Sequence, residues 1–327
     1  MVLNNRDEIE KILDFEKRSW AIKLVSIERW GEKSPCPIRF TVNPYQGCEF
    51  KCPYCYTWYS NKKVSTRVGF REALKHDIER AKTFGINSYL IEFSASTDPF
   101  QYIEKEKKES LYALKELLQG GFKILIVTKN PAFLLLKEYS EILNDKNVFI
   151  DVTITSLKEG TPAGFVLNNN GPSAKDKIRV VKKIIENGKD VRVRIDPVSP
   201  SFKTIRGQTP EDLKELVEEL SKIGVKTIIT KTLRLNAWMP DPIKNILLKF
   251  YKENGCLVGS NYILSGGLRR KMLEPIYFAC QKFGLSFCPC YDEDAFLGKR
   301  KISFCDVQQE TLKRMSDVYK DNARVVE

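Results

Sequence analysis

Histidine is nearly absent from this chain, because His76 is the only one in 327 residues. A zinc deaminase with Cys and His ligands, or a hydrolase with a histidine base, therefore has little support, since both chemistries need histidine at the reacting centre. His76 stands between charged neighbours in Lys75-His-Asp77. We expect it on a solvated helix surface and assign it no chemical role.

The chain also lacks an apolar run long enough to cross a membrane, a secretory signal pattern, an internal repeat and a low-complexity tract. Its nine cysteines are an odd number, which disfavours a framework of paired disulfides. These absences predict a cytoplasmic protein with no membrane partner. Disulfide-rich intracellular proteins of hyperthermophiles are the exception that the sequence leaves open.

Positive charge is in excess: 54 Lys and Arg residues stand against 42 Asp and Glu residues, which gives a formal net charge of +12. Such a balance favours an anionic partner such as nucleic acid, although a lysine-rich surface also serves solubility or heat tolerance. Hydrophobic residues make up 42% of the chain. At this length they are sufficient for one barrel-sized domain or two smaller ones.

Apolar strand patterns alternate with amphipathic helical patterns along the first two thirds of the chain, which is typical of a parallel sheet covered by helices. Strands are predicted at 40–43, 88–93, 123–128, 148–154, 191–195 and 225–230. Helices are predicted at 72–84, 109–118, 131–143, 175–187 and 209–223. The fold class is therefore α/β, and six strand–helix units predict a partial (β/α)6 barrel instead of the closed eightfold form. We divide the chain into an N-terminal extension (1–35), the barrel (36–235) and a cysteine-containing C-terminal region packed on it (236–327).

Three cysteines follow the first predicted barrel strand at the spacing C-x3-C-x2-C: Cys48, Cys52 and Cys55. Three thiolates can hold three irons of a [4Fe-4S] cluster and leave the fourth iron open, whereas ferredoxin sites close that position with a fourth cysteine. The next cysteine downstream is Cys256. A structural zinc site is an alternative, but such sites usually pair C-x2-C units and complete a tetrahedron. A disulfide is the other alternative.

Polar side chains also follow the other predicted strands, at the barrel edge where active sites lie in such folds. In chain order they are Ser96, Asp98, Thr128, Lys129, Thr155, Arg194 and Asp196. We expect these groups to lie close to the cysteines at one opening of the barrel. The alternative for the Ser and Thr residues is that they cap the helices that follow.

The motifs together resemble the radical S-adenosylmethionine (SAM) superfamily, whose signature is C-x3-C-x-aromatic-C, and Tyr54 supplies the aromatic. The segments Asn43-Pro-Tyr-Gln-Gly-Cys48, Ser96-Thr-Asp-Pro-Phe-Gln101 and Thr128-Lys-Asn-Pro131 look like its spore photoproduct lyase-like branch, over about residues 36 to 235. The resemblance implies a [4Fe-4S] cluster that cleaves SAM reductively to methionine and a 5′-deoxyadenosyl radical. It also implies an electron donor similar to flavodoxin or ferredoxin.

The expected SAM cradle follows from this resemblance. The methionine part of SAM chelates the open iron, and its carboxylate requires a donor such as Lys129 or the hydroxyls of Ser96, Thr128 and Thr155. Its amine and ribose require acceptors such as Asp98 or Asp196. Tyr54 and Arg194 complete the set of residues that we predict to line the cofactor site.

Five further cysteines lie in the C-terminal third, and four of them stand within 26 residues: Cys280, Cys288, Cys290 and Cys305. These four predict an auxiliary site that holds a second iron–sulfur cluster or a zinc ion. The alternative is that some are buried apolar cysteines, since free Cys packs like a small hydrophobic residue. Their spacing matches no standard metal motif.

Two classes of function lead. The first is a radical SAM enzyme, a lyase or transferase, that acts on nucleic acid in photoproduct-type DNA repair or base modification, as the positive charge favours. The second modifies a peptide or small metabolite with help from the auxiliary site, as the late cysteines favour. A non-catalytic iron–sulfur or zinc scaffold is a weaker third class. Fold-level similarity does not fix the substrate.

Overall fold

The structure is a computed structural model that describes residues 6–25, 38–55, 63–159, 169–237, 239, 241–296 and 302–303. In chain order the strands are β1 (Ile22–Leu24), β2 (Arg39–Val42), β3 (Tyr45–Gln46), β4 (Ser65–Thr66), β5 (Leu90–Phe93), β6 (Lys123–Thr128), β7 (Val148–Thr153), β8 (Arg192–Val198), β9 (Thr227–Thr232), β10 (Leu235–Asn236), β11 (Gly255–Val258), β12 (Asn261–Leu264) and β13 (Ser286–Pro289). The helices are α1 (Arg6–Arg18), α2 (Phe70–Phe84), α3 (Glu104–Lys107), α4 (Glu109–Gln119), α5 (Ser140–Asn144), α6 (Ala174–Glu186), α7 (Pro210–Lys222), α8 (Asp241–Asn254) and α9 (Gly266–Phe283).

The main sheet has eight strands in the order β1-β2-β5-β6-β7-β8-β9-β13. Every pair from β2 to β13 is parallel, and only β1 runs antiparallel at the edge. The predicted α/β partial barrel is thereby confirmed, with all six predicted strands in sequential order. Because the strands are parallel, their carboxyl ends all lie at the same edge of the sheet.

A seventh parallel strand, β13, comes from the C-terminal region that the sequence analysis separated from the barrel. Phe287 of β13 lies opposite Ile228 of β9, and Pro289 lies opposite Thr230. Pro289 has no N–H for a ladder hydrogen bond, and a proline is tolerated here because β13 is an edge strand. The main sheet therefore extends beyond the predicted boundary at residue 235.

Helices cover the sheet by burying amphipathic faces, and two of them, α6 and α7, begin with a side-chain cap. Thr209 and Asp212 form a capping box at the start of α7, and Ser173 accepts the Asp176 N–H at the start of α6. The prediction of one helix over 131–143 was wrong. The chain there forms two 3₁₀ segments and the short α5, because Leu136 between them adopts an extended conformation.

A second hydrophobic cluster joins the cysteine loop to the C-terminal region. It contains Phe50, Cys52 and Tyr54 from the loop together with Leu247 and Tyr251 of α8. The strands β10, β12 and β11 form a small three-stranded sheet. This sheet contributes Leu235 and Leu264 to the same cluster. The loop is thus packed against protein on its apolar side. No helix in the described parts of the chain has the length and apolarity needed to span a membrane.

Candidate functional site

The cysteine loop begins directly after β3, at the carboxyl edge of the sheet. Cys48 and Cys55 are half-buried and Cys52 is buried, and all three are free thiols. Gly47 has a φ of 71°, a left-handed conformation that glycine adopts without a steric penalty. The loop therefore presents three free thiols within eight consecutive residues, so the disulfide that the sequence analysis left open is not formed among them.

A buried carboxylate, Glu104, fixes the segment that leads into this loop. It accepts hydrogen bonds from the hydroxyls of Tyr45 and Tyr139, and from the N–H groups of Ser110 (3.0 Å) and Leu111 (2.9 Å) at the start of α4. Glu104 is 1% exposed. Burial and the adjacent Glu104 charge raise the pKa of both tyrosines well above their ordinary value, so both hydroxyls stay protonated donors. Sequence reasoning missed this network, which connects positions 59 residues apart.

The sulfur of Cys48 receives hydrogen bonds from the backbone N–H groups of Phe50 and Asp98. Burial raises the pKa of the Cys48 thiol to about 12, and these two N–H groups oppose that effect because they favour the thiolate. A bound metal has the same preference, since metal ligands must be deprotonated. One of these donors thus comes from the cysteine loop and the other from the segment after β5.

Lys129 brings a positive charge to the thiols from the end of β6. Its Nζ atom lies 5.7 Å from the centre of the Tyr54 ring. Burial alone would lower the pKa of Lys129, but Cys52, Asp98 and Glu159 raise it more, so the net shift is upward and the side chain is a cation. The buried Tyr54 hydroxyl faces Cys52 and makes no hydrogen bond of good geometry within the described parts of the chain.

Asp98 ties the end of β5 to the end of β6. Its carboxylate accepts hydrogen bonds from the Phe100 N–H (2.9 Å), the Thr128 hydroxyl (2.8 Å) and the Lys129 N–H (2.6 Å). Burial raises the pKa of Asp98, and these three hydrogen bonds act against that shift. Two of the predicted cofactor residues, Asp98 and Thr128, thus hold each other and the backbone of Lys129.

Thr155 at the end of β7 belongs to a buried ion pair that the sequence analysis did not foresee. Its N–H (3.1 Å) and hydroxyl both donate to Glu159. The other carboxylate oxygen of Glu159 is paired with Lys177 of α6, which also donates to the Thr153 carbonyl at 3.0 Å. The sequence did contain a signal that Lys177 is buried. Lys177, Val181 and Ile184 are spaced i, i+4 and i+7, so they lie on the same, buried face of α6.

Arg194 and Asp196 extend the site along β8. Arg194 donates to Asp196 at 2.9 Å and to Asp151 at 3.2 Å, and Lys231 of β9 lies 3.4 Å from Asp196. Burial would raise the pKa of Asp196, but Lys231 and then Arg194 lower it to about 2, so the group is ionised at neutral pH. The positive charge of Lys129 lowers the pKa of Asp196 in the same direction. Ser96, in contrast, lies exposed on the turn after β5.

The donor set fits a cubic cluster better than a single metal ion. Among the described residues, no three Cys, His, Asp or Glu side chains are arranged to hold one ion. A cubic cluster binds each of three thiolates to a different iron, so the thiols need not share one centre. The two N–H groups at Cys48, the Lys129 cation opposite Cys52 and the orphaned Tyr54 hydroxyl all fit an anionic iron–sulfur group with an organic ligand beside it.

The late cysteines are divided between two environments. Cys280 of α9 packs in the main helix–sheet core, whereas Cys288 and Cys290 pack with Ile229 in a separate small cluster. Side chains alternate along a strand, so Cys288 faces away from Phe287, which lies in the core with Cys280. Burial raises the pKa of Cys280 and of Cys288 to about 12. Cys305 lies outside the described residues, so the convergence of all four stays a prediction.

Comparison with known proteins agrees with this geometry. The sequence model of the radical SAM superfamily matches residues 42–220, more than half of the chain. The chain therefore belongs to the radical SAM superfamily; it is an enzyme whose cofactors are a [4Fe-4S] cluster and SAM. The non-catalytic scaffold that the sequence left open is thereby set aside. Relatives include the uncharacterized protein ORF301 of Acidianus two-tailed virus, 26% identical over 69% of this chain and 77% of that one. An uncharacterized Methanocaldococcus jannaschii protein is 25% identical over 55% of this chain and 70% of its own length.

Solved structures of two radical SAM enzymes share the fold. Spore photoproduct lyase, in a variant bound to a dinucleoside spore photoproduct, aligns with a TM-score of 0.55 and 14% identity over 76% of this chain and 75% of that one. Streptococcus suis SuiB bound to SAM aligns with a TM-score of 0.52 and 16% identity over 80% of this chain, which spans about half of SuiB (53%). SuiB has also been solved with its precursor peptide SuiA. At these identities the likenesses show a shared fold.

Proposed function

We propose that this enzyme binds its cluster through Cys48, Cys52 and Cys55, binds SAM beside Lys129, and acts on nucleic acid, as a photoproduct-type repair lyase or as a base-modifying enzyme. When bound, the cluster and SAM supply reductive cleavage to methionine and a 5′-deoxyadenosyl radical. The residues of the chain bind and orient these groups. An electron donor similar to flavodoxin or ferredoxin is part of the proposal.

Lys129 is the residue that we assign to the SAM carboxylate. Its ammonium lies 5.7 Å from the centre of the Tyr54 ring, and its backbone N–H donates to Asp98. Asp98 and Thr128 hold this strand end in place, and Thr155 does the same through Glu159, so these residues shape the cradle even where they do not touch SAM. We assign Asp196 and Arg194, which are paired with each other at 2.9 Å, to the other side of the cradle. A charge-assisted hydrogen bond from the Lys129 ammonium would fix the methionine part of SAM.

The variant Lys129→Ala tests this assignment. Loss of a buried charged partner typically costs ~2–5 kcal/mol, so we expect SAM to bind at least about tenfold more weakly while the iron content stays unchanged. Equilibrium binding of SAM to the reconstituted protein measures the effect, with iron determined on the same sample. Lys123→Ala, at the exposed opposite end of β6, is the matched control. Equal SAM affinity in the Lys129 variant and its parent would contradict the assignment.

The observation that carries the nucleic-acid proposal is a cationic wall at the ends of β9 and β13, formed by Lys231, Arg234 and Tyr291. The Arg234 guanidinium lies 5.0 Å from the centre of the Tyr291 ring, and the Lys231 ammonium lies 5.8 Å from it. Tyr291 has a φ of 62°, which is rare for a bulky residue, and Arg234 donates to its carbonyl at 2.7 Å. Such strained positions concentrate at ligand clamps. An aromatic face beside two cations suits a base and its phosphate.

The salt dependence of nucleic-acid binding tests this wall. We expect a fluorescent thymine-rich single strand to bind with an affinity that falls steeply with salt, because phosphate contacts release counterions. Lys231→Gln should weaken binding and reduce the salt slope by about one, as loss of one phosphate contact does. Lys226→Gln, an exposed lysine just before β9, is the control and should leave both quantities unchanged. Absent or salt-independent binding would contradict the proposal.

The second candidate is modification of a peptide or small metabolite. The observation in its favour is the buried pair Cys288 and Cys290, both at the carboxyl end of a barrel strand. With Cys280 and Cys305 these thiols would form the proposed auxiliary iron–sulfur or zinc site. The peptide complex of SuiB is consistent with this alternative. Saturable binding of peptides, together with no nucleic-acid binding, would favour it over the first.

A further inference from the structure

Gln101, the last residue of the motif Ser96-Thr-Asp-Pro-Phe-Gln101, is fully buried and makes three hydrogen bonds around the cysteine loop. Its Oε1 atom accepts from the Glu49 N–H at 2.7 Å. Its Nε2 atom donates to the carbonyls of Gly47 (3.2 Å) and Asp98 (3.0 Å). The side chain is 0% exposed. The three donor–acceptor distances lie between 2.7 and 3.2 Å, which is the ordinary range for N–H···O hydrogen bonds.

Two of the three partners of Gln101 belong to the peptide units that flank Cys48. The Gly47 carbonyl belongs to the peptide before Cys48, and the Glu49 N–H belongs to the peptide after it. One side chain therefore holds both ends of Cys48. Its third partner, the Asp98 carbonyl, steadies the residue whose own N–H reaches the Cys48 sulfur.

A second residue holds the other donor to that sulfur. The Nδ2 atom of Asn170 donates to the Glu49 carbonyl at 3.2 Å, and the Asn170 N–H donates to the Phe50 carbonyl at 2.8 Å. The Glu49 carbonyl shares its peptide unit with the Phe50 N–H, which hydrogen-bonds Cys48. The Glu49 carboxylate in turn accepts the Ile103 N–H at 2.9 Å. The loop is therefore restrained from both sides.

We propose that Gln101 is a positioning residue, assisted by Asn170, that fixes Cys48 and its two N–H···S hydrogen bonds and thereby sets the reduction potential of the cluster. The inference rests on the proposed role of Cys48 as a cluster ligand. Hydrogen bonds to ligand sulfurs and exclusion of solvent are main determinants of an iron–sulfur potential. A hydrogen bond withdraws electron density from the sulfur, so its loss makes the reduced cluster less stable and the potential more negative.

The test compares Gln101→Met with Gln208→Met. Methionine keeps the volume and removes all three hydrogen bonds. Gln208 is the matched control because it has the same pattern elsewhere: its Oε1 atom accepts the Ser199 N–H, and its Nε2 atom donates to the Thr155 and Pro197 carbonyls. We expect Gln101→Met to shift the midpoint potential downward, to change the electron paramagnetic resonance signal of the reduced cluster, and to speed hydrogen exchange in the peptide that spans 47–55. Gln208→Met should change none of these.

Two further variants make every outcome informative. Asn170→Ala removes an exposed side chain, so it should fold even if Gln101→Met does not, and we expect a smaller downward shift of the potential. Cys48→Ala tests the role of Cys48 as a cluster ligand separately from the positioning role of Gln101. If Cys48→Ala loses the cluster while Gln101→Met and Asn170→Ala keep the parent potential and exchange rates, the positioning role is overturned. A complete cluster in Cys48→Ala would overturn the ligand assignment and the positioning role together.

Discussion

Replacement of Cys48, Cys52 and Cys55 together by alanine is expected to abolish reductive cleavage of SAM. The three thiols lie on one loop at the carboxyl edge of the sheet, and in the proposed arrangement they supply every protein ligand of the cluster. Without them the iron is not held, and no other group in the chain is assigned to deliver an electron to SAM. The measurement is 5′-deoxyadenosine formed anaerobically with dithionite, which should fall below the detection limit.

Cys256→Ala is the control for this triple variant, because Cys256 is an exposed cysteine on β11. It should cleave SAM at the parent rate. Cleavage at that rate by the triple variant would refute the proposed ligands. Metal that the triple variant retains would in addition support the auxiliary site of Cys280, Cys288, Cys290 and Cys305. A triple variant with neither iron nor zinc would remove the basis of that site.

Lys177→Met is expected to lower the free energy of unfolding by about 3–5 kcal/mol, the usual cost of leaving one member of a buried ion pair without its partner. Lys177 is 0% exposed and Glu159 is 2% exposed, so water cannot compensate the carboxylate that remains. Methionine preserves the packing of α6, which confines the change to charge and hydrogen bonding. Urea unfolding of the cofactor-free protein, followed by circular dichroism, measures the loss.

The double variant Lys177→Met with Glu159→Gln should recover most of this stability. Glutamine removes the unpaired charge and keeps an oxygen that can accept the Thr155 N–H. Lys222→Met is the surface control, since Lys222 pairs with Glu218 and Glu219 on the exposed face of α7, and it should produce no resolvable change. Equal stability of Lys177→Met and its parent would show that this ion pair does not hold the end of β7.

The two carboxylates of the site show that the sequence could predict where a residue lies but not which groups it contacts. Asp98 follows β5 and Asp196 lies within β8, and both were predicted as cofactor acceptors. In the structure Asp98 is held by three protein donors, whereas Asp196 faces Arg194 and Lys231. Their positions near the carboxyl edge of the sheet were predictable, because parallel strands all end at that edge. The partners that come from neighbouring strands, namely Thr128 and Lys129 for Asp98 and Lys231 for Asp196, were not predictable.

The late cysteines show a second limit. Cys288 and Cys290 were predicted as ligands of an auxiliary site, and no strand was predicted around them. Ser286–Pro289 forms the strand β13 at the edge of the main sheet, and among the described residues no other strand pairs with its outer side. Four residues are too few for periodicity to distinguish a strand from a loop. Pairing with β9, whose partners lie 59 residues earlier in the sequence, decides the matter.

The sequence by itself determined the family, the two cofactors, the order of six parallel strands and the edge of the sheet where the site lies. These features depend on local spacing and on hydrophobic periodicity, which are fixed by neighbours in the chain. Only the tertiary structure decided what holds the site together: Glu104 beneath Tyr45, Gln101 around Cys48, and Lys177 against Glu159. Each is a buried polar group whose partner lies between 18 and 59 residues away. Burial makes such partners obligatory, but only the packing of the elements selects them.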